Sequence, residues 1–91
     1  MNFEIIIHGK GGHGSRPDLS YNPIESFPMI YAAMQQLPGG FTVTKVEAGK
    51  SSNVIPNDLY FTGSCAEEDI QQLKNIVTSV CSIYHCTPEF M

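Results

Sequence analysis

The chain is short of positive charge, of cysteine and of long apolar runs, and each shortage removes a class of function. Five Lys and Arg stand against nine Asp and Glu, for a formal net charge of −4, so a basic footprint for a phosphate backbone is missing. Nucleic acid is therefore not an expected partner. No apolar run approaches the roughly 20 residues needed to cross a bilayer. The opening Met1-Asn2-Phe3-Glu4 also carries an acid where a secretory leader has basic residues. The expectation is a soluble, cytoplasmic protein with no membrane partner. The three cysteines, Cys65, Cys81 and Cys86, are odd in number and nowhere at CxxC spacing, which argues against a disulfide framework and a cysteine-rich zinc site. Buried or half-buried thiols are expected instead. There is no HExxH, no cluster of His with carboxylates and no local Ser-His-acid signature, so neither a metal site nor a catalytic centre is expected in the chain itself.

What is present suits one small globular domain, since 91 residues support a single modest core. Phe3 to His8 is a short Ile-rich run bounded by glycine, the composition of a buried strand. Gly9 to Tyr21 has four glycines, a proline and no period, and is expected to be a loop; loops that long in small domains are often functional. Asn22-Pro23-Ile24-Glu25 carries the marks of a helix start. Phe27, Ile30, Tyr31, Met34 and Leu37 then recur at helical spacing, although Pro28 should kink the helix or restart it from Ser26. Pro38-Gly39-Gly40 ends it, and Phe41 to Glu47 reads as a second strand. After a break at Gly49 to Asn53, Val54-Ile55 and then Leu59 to Thr62 resume strand chemistry, as in a hairpin with an elaborate turn. Pro56 belongs at an edge or strand entry. Ser64 with Glu67 has capping-box spacing, and Ile70, Leu73, Ile76, Val77, Val80 and Tyr84 line one face of a second helix. Cys86 to Met91 can add a fourth strand. The order βαββαβ predicts an α+β, ferredoxin-like sandwich, a four-stranded antiparallel sheet with both helices on one face.

Gly9-Lys10-Gly11-Gly12-His13-Gly14 satisfies GxGxxG after a strand, but Ser15-Arg16-Pro17-Asp18 prevents the helix that would receive a pyrophosphate. Nucleotide binding is not expected. His13 stands between two glycines, on a backbone able to approach another surface closely; the bland alternative is an exposed loop histidine without a role. His8 and His85, at a strand end and a helix end, are weaker candidates.

Two segments resemble a known family. Phe3 to Pro17, a strand followed by GKGGHGSRP, resembles the opening of the dimerisation domain of the M20 metallopeptidases, and Ala48 to Asn57, with Asn53-Val54-Ile55-Pro56, resembles that domain's second hallmark. Within the family the likeness is to the aminoacylase and hippurate-hydrolase branch of N-acyl amino acid amidohydrolases. The resemblance implies that residues 1–91 are a single lid and dimerisation domain excised from a two-domain metallohydrolase. Its partners would be a second copy of itself and a catalytic domain holding two divalent metal ions, usually zinc, whereas the fragment would hold no cofactor. His13 would stabilise the transition state in the partner subunit's active site, and Asn53 would bind substrate; its alternative is a turn cap. The family often closes the third strand with GxxR, whose arginine can bind a substrate carboxylate, but Gly63-Ser64-Cys65-Ala66 puts alanine there, and Asn57 replaces the aspartate usual after NVIP. The competing expectation is a stand-alone ferredoxin-like module binding a small molecule or a protein.

Overall fold

The computed structural model describes residues 1–9, 22–48 and 57–91 in full and the backbone at 12–13 and 54–55. In chain order the elements are β1 (Asn2–His8), β2 (Gly12–His13), α1 (Pro23–Met34), β3 (Phe41–Ala48), β4 (Val54–Ile55), β5 (Asp58–Cys65), α2 (Ile70–Ile83) and β6 (Thr87–Phe90). Four strands form an antiparallel sheet in the order β3-β5-β1-β6. That is the expected ferredoxin-like arrangement, with β3 and β6 at the two edges. The fourth strand at the C-terminus is present, and among the described residues no helix is long and apolar enough to cross a membrane.

Alternation in β1 and β5 builds the core. Phe3, Ile5 and Ile7 point to one face of the sheet with Leu59, Phe61 and Cys65, and all are buried. From above come Ile30, Met34 and Leu37 of the α1 segment and Leu73, Val77, Val80 and Cys81 of α2. Phe61 sits at the centre, edge-on to Phe3 at 5.9 Å and to Phe27 at 5.1 Å between ring centroids. All three cysteines are free and buried, as expected, and burial pushes the Cys81 thiol up to about 12.

Several local expectations need correction. The first helix does not restart at Ser26: Asn22 caps it by accepting from the Ile24 amide at 2.9 Å, Pro23 opens it, and it continues through Pro28. Ser26 is buried and donates to the Pro23 carbonyl at 2.6 Å. Its hydroxyl is therefore satisfied inside the first turn. The capping box does not form, because β5 extends to Cys65 and takes Ser64 into its ladders with Asn2 and Thr42. A 3₁₀ turn, Glu67–Asp69, follows from Ala66 without a side-chain cap. Asp69 is buried and instead accepts from the Gly39 amide at 2.7 Å, tying the entry of α2 to the turn between α1 and β3. A Cβ on Gly39 would stand 2.8 Å from that of Ala66, so this junction requires glycine.

Candidate functional site

The sheet delivers both hallmark segments to one end. β1 runs toward the GKGGH segment and the antiparallel β5 starts where the NVIP segment finishes, so His8 pairs with Asp58 in register. One residue further, the Gly9 amide donates to the Asn57 carbonyl at 2.6 Å. Beyond that root the segments meet again, with Gly12 opposite Ile55 and His13 opposite Val54 in the two-residue ladder between β2 and β4. The expectation of an entirely irregular loop from Gly9 to Tyr21 therefore fails at residues 12–13. Val54-Ile55 likewise leaves the β3–β5 hairpin to pair with the glycine-rich segment. The ladder sets the backbone of His13 beside the residue that follows Asn53. The side chain of His13, and Asn53 and Pro56 altogether, lie outside the described residues.

At the root stands a polar cluster on the open face of the sheet, where His8 alternates away from buried Ile7. Its Nδ1 lies 2.7 Å from Oδ1 of Asp58 on β5, and its Nε2 lies 2.8 Å from Oε1 of Glu89 on β6. A neutral imidazole has one N–H and one lone pair, so two carboxylates are both satisfied only when the ring carries both protons. The bond to Glu89 and then that to Asp58 raise the His8 pKa above 6.5, while partial burial opposes them. Sequence reasoning ranked His8 low, because its partners are 50 and 81 residues away.

Ala66 lies elsewhere. β5 runs from Asp58 to Cys65, which at 3.4 Å per residue separates its ends by roughly 25 Å. The position where the family pattern has arginine is therefore at the opposite end of the sheet from the His13 segment. Among the described residues no group of three or more His, Cys, Asp or Glu is arranged to hold a metal ion.

A third feature is the β3 edge. Among the described residues no strand pairs with its outer side, and all but Phe41 and Val43 are exposed along it. Against it lies α1, through Tyr31, whose ring meets Phe41 edge-on at 5.2 Å. Ile24 and Tyr31, seven residues apart on the β3 flank of the helix, and Val46 on the strand are 42% to 44% exposed. Helix and strand thus present one apolar surface. The other edge is blunted, since β6 has only four residues and contains Pro88.

Comparison with known proteins bears on this arrangement. Residues 1–83 match the family described as peptidase dimerisation domain. The chain is 32% identical, over 96% of its length, to thermostable carboxypeptidase 1 of Saccharolobus solfataricus, and 30% identical over 92% to IAA-amino acid hydrolase ILR1-like 2 of Arabidopsis thaliana. It spans about a quarter of the length of these curated relatives, 26% and 22% respectively. Among solved structures, a putative aminohydrolase from methicillin-resistant Staphylococcus aureus superposes with a TM-score of 0.86 at 21% identity, covering 99% of this chain and 28% of that one. A Bacillus subtilis protein described as a dinuclear metal-binding peptidase of the M20 family superposes at 0.73 with 26% identity, covering 99% and 24%. Fold, hallmark segments and relatives agree that this chain belongs to the peptidase dimerisation domains of the M20 family.

Proposed function

We propose that this domain pairs with a second copy through β3 and α1 and serves as the lid of a two-domain, zinc-dependent amidohydrolase that cleaves N-acyl amino acids or peptides. The observation that carries the proposal is the β3 edge, long and free of proline, continuous with the exposed apolar side of α1. An unpaired edge of this kind is a template for another strand. A two-fold axis through it makes an antiparallel β3–β3 pair and one eight-stranded sheet. Lys45 and Glu47 flank Val46 and already approach each other at 3.1 Å within the chain. With Val46 opposite Val46 of the second copy, each Lys45 faces the partner copy's Glu47, giving two complementary pairs across the axis.

Coverage of about a quarter of each relative supports a parent with a separate catalytic domain. The residues described here do not fit a metal pair, so the metal ligands are assigned to that domain. Bound there, two divalent ions would polarise the scissile carbonyl and activate water. The part played by this chain is positional: the β2–β4 ladder presents His13, whose imidazole donates a hydrogen bond to the carbonyl oxygen as negative charge develops on it. Asn53, which precedes Val54 in the sequence, contacts the substrate's amide or carboxylate. Ala66 offers only a methyl group, so recognition of a substrate carboxylate falls to another residue.

In the full-length parent, His13→Ala is expected to lower kcat by roughly 10²–10³-fold, the usual cost of an oxyanion donor, with little change in Tm. Undiminished turnover in that variant would remove the catalytic role of His13.

A further inference from the structure

His8 closes the strand that opens the first hallmark segment, while its partners Asp58 and Glu89 lie outside both segments. We propose that His8 is a positioning residue for the His13 segment, a doubly hydrogen-bonded imidazolium clamp that fixes the point where the two hallmark segments leave the sheet and makes their placement pH-dependent. The clamp is a property of this chain, whereas its consequence for catalysis rests on the role proposed for His13.

The geometry is bracketed on each side. His8 is five residues before His13, and Asp58 is five residues after Asn53. Between clamp and ladder stands the Gly9 to Asn57 backbone bond of 2.6 Å. The ring joins three strands, because Asp58 comes from β5 and Glu89 from β6 while His8 ends β1. Glu89 pairs with Ile6 in register and so is the diagonal neighbour of His8 on the same face. Among the described residues, Asp58 on β5 and Glu89 on β6 are the charged groups facing the ring; α1 and α2 pack on the other face of the sheet. Loss of one ring proton leaves a lone pair aimed at a carboxylate, so one of the two bonds turns repulsive. The junction then loosens on the alkaline side, as expected from a folded-state pKa raised by Glu89 and Asp58.

The test is an NMR pH titration of the 91-residue chain carrying His13→Gln, which keeps the loop's own imidazole from contributing. The His8 ring should titrate above 6.5, and Asp58→Asn and Glu89→Gln should each lower its midpoint. The backbone amides of Gly12, Val54 and Ile55 should shift with the His8 midpoint and cease to do so in His8→Gln. All three side chains are at least 40% exposed, so the substitutions spare the core. A His8 midpoint at or below 6.5, or ladder amides that ignore it, would overturn the proposal. Full turnover of a His13→Ala parent would sink the oxyanion role while leaving this titration unchanged, so the two failures are distinguishable.

Discussion

Gly63→Ala should be the most damaging single-methyl change in the sheet. Gly63 lies mid-β5, opposite Phe3 on one side and Val43 on the other. A Cβ there would collide with the Thr42 carbonyl oxygen and stand 2.7 Å from Cζ of Phe3. The Phe3 ring is buried against Phe61 and cannot swing away freely. The obstacle on the other side is backbone, next to the register irregularity between Val43 and Lys45. Relief therefore requires β3 to move off β5. Overpacking of this kind costs about 1–3 kcal/mol. With 4–8 °C per kcal/mol for a domain of this size, Tm should fall by roughly 4–24 °C. Displacement of β3 would also weaken any association through that edge. Gly40→Ala is the internal control: its φ of +73° makes a side chain strained, but nothing lies within 4 Å of the added atom, so a loss of about 1 kcal/mol is expected. Calorimetry of both variants decides the matter. A Gly63→Ala domain melting within 2 °C of the parent sequence would refute the steric account.

Further outcomes follow from other buried contacts. Asp69→Ala removes the acceptor for the Gly39 amide and should cost about 1–3 kcal/mol, read as a lowered denaturation midpoint, with Asp69→Asn milder. The three buried thiols, with Cys81 pushed up to about 12, should resist a thiol reagent at pH 8 until the chain is unfolded, when all three react; rapid labelling of Cys81 in the native state would contradict its burial. His8 has a raised folded-state pKa, so its contribution to stability is complete below pH 6.5 and is lost as pH rises through the folded midpoint. Denaturation midpoints measured across that window should fall in the wild type and flatten in His8→Gln.

Much of the fold was legible because its signals are local. Alternation in β1 and the apolar stripe of α2 reflect burial on one face, and periodicity reports that directly. The expectations that failed were decided by distant partners. Ser64 had the spacing of a cap, but ladder bonds to Asn2 and Thr42 claimed it. The acid of that region that acts on backbone is Asp69, through an amide 30 residues away. The β2–β4 ladder is two residues long on each side, too short for any period, and it exists because the sheet brings its two roots together. His13 and Asn53 were noticed through family resemblance more than through spacing. The clamp at His8 left no trace in sequence order, since only strand register shows Asp58 and Glu89 to be its neighbours.

The pairing of β3 with a second copy is tested most directly by exchanging its charges and measuring mass by sedimentation. The wild-type chain of 10.0 kDa should sediment as a dimer. Lys45→Glu and Glu47→Lys, each alone, turn two facing pairs repulsive, which at 0.2–1 kcal/mol per exposed pair and a similar penalty for like charges weakens association by roughly tenfold. Mixed in equal amounts, the two variants place Glu at both positions of one chain opposite Lys at both positions of the other, and the dimer should return. Variants that dimerise like the wild type, or a mixture no tighter than its components, would contradict this interface.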